Sequence, residues 1–214
     1  ARMGANRNNV TVVPCGVDVS HFSPLGPAES RDPRKHRILC VSRLVERKGI
    51  ADVIAALPLL PNTELVIAGG PDRAELGEDA EACRLRGIAR SLGVESRVEL
   101  RGRVGRTSMP RLLRSADVVV CYPWYEPFGI VPLEAMACGV PVVVASVGGL
   151  VDSVVDGVTG VHVEPRSPSA LAEAIRTLLQ NERLRIALGI AGARRANERY
   201  GWARIASETQ DVYQ

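Results

Sequence analysis

Short continuous runs of apolar residues alternate along the chain with longer stretches in which apolar positions recur every three or four residues. The runs at 37–41, 64–68, 98–100, 118–121, 140–144 and 160–163 are rich in Val, Leu and Ile and end at Gly, Pro or polar residues. They predict strands covered on both faces. The helical spacing predicts helices at 50–57, 75–92, 109–115, 132–137 and 150–155, then three more at 168–180, 182–199 and 202–213. Strands that alternate with helices imply a single doubly wound, Rossmann-like parallel α/β sheet of about six strands, with helices on both faces. Residues 1–24, with the β-branched run Val10 to Val13 closed by Pro14, read as an interdomain linker or the tail of a preceding unit. Residues 25–200 read as the domain and 201–214 as a closing helix, with Trp202, Ile205 and Tyr213 expected to be exposed.

In such sheets ligands bind beyond the C-terminal strand ends. Those ends carry Ser42-Arg43, Gly69-Gly70, Gly102-Arg103-Val104, Tyr122 to Glu134 and Ser146 to Gly149. Polar and glycine-bearing turns thus converge on one rim.

Composition narrows the function classes. The apolar share of 46% and charged share of 24% are ordinary for a soluble globular protein. No apolar run is long enough to cross a bilayer, and Ala1-Arg2-Met3-Gly4 is not followed by an apolar signal core. The net charge of +3, with arginines spread along the chain, gives no nucleic-acid footprint. Lys35 and Lys48 are the only lysines, a bias that suggests a high-GC bacterial source. Cys15, Cys40, Cys83, Cys121 and Cys138 lack metal-ligand spacing and read as reduced, mostly buried thiols of a cytosolic protein. His21, His36 and His162 fall in linker, loop and strand, without a catalytic setting.

The chemistry concentrates in Glu126-Pro127-Phe128-Gly129-Ile130-Val131-Pro132-Leu133-Glu134, where two carboxylates stand eight positions apart. Pro132 suits a helix start, which places Glu126 on a loop, Glu134 in the first helical turn, and the amides of Gly129, Ile130 and Val131 just ahead of the helix. Carboxylates accept from hydroxyls, and helix-start amides meet phosphate. Upstream, Arg43 at a strand end and Lys48 before a helix can reach one anionic group. Taken alone, Glu134 fits equally well as a structural acid at a helix N-terminus, and Arg43 and Lys48 as solvated surface cations.

Together these residues resemble the C-terminal, donor-binding domain of retaining glycosyltransferases of the GT-B fold, specifically the GT4 family. The resemblance runs through Val13-Pro14-Cys15-Gly16-Val17-Asp18, Ser42-Arg43-Leu44 with Lys48-Gly49, Val66-Ile67-Ala68-Gly69-Gly70, Leu100-Arg101-Gly102 and Ala116-Asp117-Val118. It ends in the E-x7-E motif from Glu126 to Glu134 and the following Ala135-Met136-Ala137-Cys138-Gly139-Val140-Pro141.

The resemblance implies that Arg43 and Lys48 hold the diphosphate of a nucleotide-sugar donor. It implies that Glu126 contacts the transferred sugar, and that Phe128, Gly129, Ile130 and neighbouring Val131 supply a loop of amides. Glu134 would accept from the ribose hydroxyls. Arg103 and Val104 would border the nucleobase, with Gly70 on the same rim and Gly16 in the hinge. The implied donor is UDP-linked, with GDP- and ADP-linked donors as alternatives. No Asp-x-Asp triplet is present, so the expected chemistry is metal-independent hexosyl transfer with retention. The acceptor (lipid, glycan or small molecule) would sit on an N-terminal domain that this chain lacks. The expectation is therefore a fragment that binds nucleotide without transferring sugar, from a cytoplasmic enzyme able to associate with the inner membrane face. A non-catalytic nucleotide-sugar-binding module and a sugar-nucleotide epimerase-like domain are the alternatives. A nicotinamide-dependent dehydrogenase is excluded because Ser42-Arg43-Leu44 replaces the glycine fingerprint after the first strand.

Overall fold

The computed structural model describes residues 10–213. Six parallel strands, β1 (His36–Val41), β2 (Thr63–Ala68), β3 (Val98–Gly102), β4 (Val118–Cys121), β5 (Val142–Ala145) and β6 (Val161–Val163), form one sheet in the order β3-β2-β1-β4-β5-β6. The expected doubly wound α/β architecture is thus present. Ile38, Leu39, Leu65, Ile67, Val119, Val143 and Val144 are fully buried, as residues covered on both faces must be.

Eight helices complete the described chain: α1 (Ile50–Ala56), α2 (Ala80–Ser91), α3 (Met109–Arg114), α4 (Ile130–Ala137), α5 (Leu150–Ser153), α6 (Pro168–Gln180), α7 (Glu182–Tyr200) and α8 (Trp202–Val212). α1 packs with α2 and α6; α4 packs with α3, α5 and α7. These two groups cover opposite faces of the sheet. The strand order reverses between β1 and β4, so the loops leaving these neighbours diverge and open a crevice.

Four local expectations are corrected. The helix expected over 75–92 is broken into a 3-10 segment, Arg73–Gly77, and α2. The Glu75 carboxylate accepts from the Asp72 amide, and Asp79 accepts from the Ala82 amide at 2.7 Å, so two successive caps restart the helix. Helix α4 starts at Ile130, two residues before Pro132. Proline at the third helical position loses no intrahelical bond, because the first turn's amides have no partner within the helix. Glu134 therefore lies in the second turn rather than the first. Finally, Ile205 on α8 is buried, whereas Trp202 and Tyr213 are exposed.

Within the segment read as linker, residues 1–9 lie outside the described residues, as does Gln214 of the closing helix. Val10 to Val13 form no strand. Val17 donates its amide to the Tyr200 carbonyl at 2.7 Å, and both Val17 and Phe22 are buried in the core.

Candidate functional site

A cavity of about 210 Å³ occupies the crevice at the strand-order reversal. Cys40 to Arg43 line it from the end of β1, and Val120 to Pro123 from the end of β4. Lys48, Glu126, Gly129, Ile130 and Val131 complete the part that carries chemistry. The structure thus gathers Arg43, Lys48, Glu126 and the start of α4, residues separated by up to 88 positions (131 − 43), around one space.

Local backbone demands explain how Lys48 reaches this space. A 3-10 turn, Glu46–Lys48, ends at Gly49, whose φ of +67° is left-handed. A Cβ on Gly49 would stand 2.0 Å from the Tyr122 carbonyl oxygen, so only glycine lets this loop close onto the loop after β4. The Trp124 amide donates to the Arg47 carbonyl at 2.9 Å, tying the same two loops together.

Lys48 and Glu126 form an ion pair, each side chain only 16% exposed. The contact uses one ammonium donor and the Oε2 of the carboxylate. An ammonium has three donors and a carboxylate two oxygens, so Lys48 keeps donors for an anion and Glu126 keeps Oε1 for a hydroxyl. Arg43 is exposed at the cavity edge, and its guanidinium makes no hydrogen bond or ion pair among the described residues. The amides of Gly129, Ile130 and Val131 are helix-start donors, and the positive end of the α4 dipole lies with them.

The loop bearing Glu126 is braced from three sides. The Tyr122 hydroxyl donates to the Glu164 carbonyl and accepts from the Ser167 amide at 3.1 Å. The Arg166 guanidinium lies 4.2 Å over the Trp124 ring, whose indole N–H donates to Asp52 at 3.2 Å. The Gly149 amide donates to the Glu126 carbonyl at 3.0 Å. We expect Tyr122→Phe to cost about 0.5–1.5 kcal/mol, because it removes the buried ring's hydroxyl, which pairs the Ser167 amide with the Glu164 carbonyl. A urea-unfolding midpoint equal to wild type would contradict this.

Glu134 is set apart from the cavity lining. Its carboxylate is half-buried and meets no hydrogen-bond donor among the described residues. Burial pushes its pKa up to about 7, while the charges of Arg106 and His21 pull in the opposite direction. A half-buried acceptor without an internal donor is suited to hydroxyls supplied by a ligand.

Gly70, Arg103 and Val104 lie on a neighbouring rim, at the ends of β2 and β3, outside the cavity lining. The Gly69 amide donates to the Gly102 carbonyl at 2.8 Å and the Arg103 amide to the Pro71 carbonyl at 2.9 Å, so the two loops are tied together. Arg103 is largely exposed, 3.6 Å from Asp72. Phe128 is half-buried, with its ring edge-on to Tyr200 at 6.3 Å. Gly16 is closed over by the Trp202 ring: a Cβ there would stand 2.6 Å from it.

Asp18, His21 and Arg106, which interlock beside this rim, escape sequence reasoning. No motif spacing links positions 18 and 21 to 106. The five cysteines are free; Cys15 and Cys83 are exposed, whereas burial raises the pKa of Cys40 and Cys121 in the cavity wall. Among the described residues, no group of three or more His, Cys, Asp or Glu is placed to hold a metal, and no helix is long and apolar enough to cross a membrane.

Residues 27–195 match the family described as glycosyl transferases group 1. The chain is 37% identical over 222 aligned residues to D-inositol 3-phosphate glycosyltransferase of Xylanimonas cellulosilytica, covering 98% of this chain and 52% of that protein. Sucrose-phosphate synthase of Thermosynechococcus elongatus superposes with a TM-score of 0.84 at 32% identity, covering 94% of this chain and 51% of that one. Anabaena HepE, solved in complex with UDP-glucose, superposes with a TM-score of 0.83 at 25% identity, covering 99% of this chain and 58% of that one. The chain thus spans about half the length of the relatives it matches.

Proposed function

The chain belongs to the group 1 glycosyltransferases, and on that footing we propose that it binds the nucleotide-diphosphate-sugar donor of a retaining, metal-independent hexosyltransferase of the GT4 type. The observation that carries this reading is the cavity at the strand-order reversal, where Arg43, Lys48 and the free amides of α4 surround a space next to Glu126.

Donor diphosphate occupies the space between Arg43, Lys48 and the α4 amides. As the bond from the anomeric carbon to the phosphate oxygen breaks, negative charge grows on the diphosphate, and these fixed donors stabilise it without a divalent ion. The acceptor hydroxyl attacks on the face that the diphosphate leaves. Its oxygen bonds the anomeric carbon, and its proton passes to the departing phosphate oxygen. Glu126 has two roles: it orients Lys48 through one oxygen and accepts from a sugar hydroxyl through the other. Glu134 accepts from the ribose hydroxyls, and Arg103 and Val104 border the base. Uridine is the proposed base, a choice supported by the UDP-glucose complex of the HepE relative. GDP- and ADP-linked donors are the alternatives.

The acceptor would be held by a part of the enzyme beyond these residues, whose relatives are about twice as long. We therefore propose that this chain alone binds donor but does not transfer sugar, and that the whole enzyme works in the cytoplasm, at or near the membrane surface.

Calorimetric titration with UDP, GDP and ADP tests the base assignment, and UDP against UDP-glucose tests the division of the two glutamates. Glu134→Ala should weaken UDP and UDP-glucose alike by about ten- to a hundredfold, the worth of one charged hydrogen bond. Glu126→Ala should erase most of the difference between the two ligands and alter bare UDP much less. Equal losses of UDP in both variants would sink this division of roles.

A further inference from the structure

Three segments distant in sequence close on Trp124, which is half-buried in the loop between β4 and α4. Its indole N–H donates to Asp52 on α1 at 3.2 Å, and the Arg166 guanidinium lies 4.2 Å over its ring. Its backbone amide donates to the Arg47 carbonyl at 2.9 Å, and the Arg47 guanidinium donates in return to the Tyr125 carbonyl at 3.3 Å. Two of the segments joined here carry the members of the Lys48–Glu126 ion pair. The Asp52 amide donates to the carbonyl of Gly49, the residue after Lys48, at 3.0 Å. Glu126 lies two residues beyond Trp124.

We infer that Asp52, Trp124 and Arg166 form a clamp that sets how Lys48 and Glu126 face each other across the cavity, with Arg166 as a positioning residue for the donor. The inference rests on reading that cavity as the donor site. Arg166 has two properties that core packing does not explain. Its backbone φ is +60°, a left-handed conformation that is uncommon and strained for a residue other than glycine. Its side chain is exposed, and its guanidinium meets the Trp124 ring while making no hydrogen bond or ion pair among the described residues. The turn that bears it is tied to the same loop, because Glu164 and Ser167 both bond the Tyr122 hydroxyl. An indole with a cation on its face and a carboxylate on its N–H has little freedom to turn. A fixed indole fixes the backbone of Trp124 and Tyr125, and with it the direction in which Glu126 leaves the loop towards Lys48.

A positioning contact passes on to a ligand no more than its own worth, because its loss only lowers the share of molecules whose loop is in the binding arrangement. Arg166→Asn removes the cation and keeps a residue that tolerates positive φ. Calorimetric affinity for UDP-glucose should fall about two- to fivefold in this variant, the worth of one exposed cation–π contact. Arg166→Lys, which keeps a cation over the ring, should recover most of the loss. Trp124→Phe leaves a ring beneath Arg166 but has no N–H for Asp52, and should lower the affinity about two- to tenfold.

Tryptophan emission reads the clamp without any nucleotide. Trp124 and Trp202 are the two tryptophans of the chain, so Trp202→Phe leaves Trp124 as the sole indole reporter. In that background Arg166→Asn should shift the emission maximum and Arg166→Lys should leave it near its starting position. An unmoved maximum in Arg166→Asn overturns the clamp, whatever the ligand. A moved maximum with undiminished UDP-glucose affinity in both Arg166→Asn and Trp124→Phe overturns its link to the donor. Equal losses of affinity in Arg166→Asn and Arg166→Lys overturn the part given to the cation. Failure of the wild type to bind UDP-glucose, GDP or ADP overturns the donor reading itself and this inference with it.

Discussion

Arg43→Ala combined with Lys48→Ala should abolish measurable affinity for UDP at the micromolar level while leaving the fold intact. The Arg43 side chain is exposed and makes no hydrogen bond or ion pair among the described residues, so its removal should perturb little in the free protein. Lys48 is different: its loss leaves Glu126 without its cation in a half-buried position. Hydrogen bonds between charged groups contribute about 1.5–3 kcal/mol each, so two lost contacts to one diphosphate amount to about two to four orders of magnitude in dissociation constant. Part of the Lys48 share comes from Glu126, whose uncompensated charge then repels the phosphate across the cavity. A variant that removes both members of the pair, Lys48→Ala with Glu126→Gln, separates the two contributions and should recover part of the UDP affinity. Calorimetry with UDP at fixed ionic strength reads all three proteins. Wild-type affinity in the Arg43→Ala, Lys48→Ala protein would place the diphosphate elsewhere.

Much of this site was legible because it depends on positions close in sequence. The six apolar runs fix the strands, and the rim follows from the rule that ligands gather at the strand ends. Glycines and prolines mark the turns between them. What escaped has a common physical origin: it depends on partners brought together only by the fold. The Lys48–Glu126 pair joins two loops across the β1–β4 crevice, and no periodicity links them. Asp18 and His21 meet Arg106 by the same kind of long-range contact. Ile205 is buried because α8 turns back onto α7, a packing choice that the amphipathic pattern of α8 alone does not place. The start of α4 was misplaced for a local reason. Pro132 is tolerated anywhere in the first helical turn, and it was the left-handed Gly129, with φ of +81°, that set the boundary. The shift matters for chemistry: Glu134 lies two residues deeper in the helix, and burial is the largest influence on its proton affinity.

Gly149→Ala should destabilise the protein by about 2–3 kcal/mol and weaken UDP-glucose binding more than tenfold, although Gly149 itself touches no ligand in the proposed pose. The backbone there, φ −70° and ψ −7°, suits any residue, so no conformational penalty arises from the substitution. The cost is purely steric. A Cβ at this position would stand 2.4 Å from the Pro127 carbonyl oxygen and 2.7 Å from the Phe128 Cα, both backbone atoms that no rotamer change can move aside. Overpacking of this kind costs about 1–3 kcal/mol, and a backbone neighbour puts it at the upper end. The strain has one outlet: displacement of the Glu126–Phe128 loop, breaking the bond from the Gly149 amide to the Glu126 carbonyl. That loop positions the Glu126 carboxylate and the amides entering α4, so its displacement would reach the proposed sugar and diphosphate positions together. Gly87→Ala is the matching control. It lies within α2 with open space around the added methyl, and should stabilise the protein by about 0.5–1 kcal/mol without altering binding. Urea unfolding and UDP-glucose titration of both variants decide the matter. If Gly149→Ala lost stability yet bound UDP-glucose as tightly as wild type, the loop from Glu126 to Phe128 would not be the part of this domain that grips the donor.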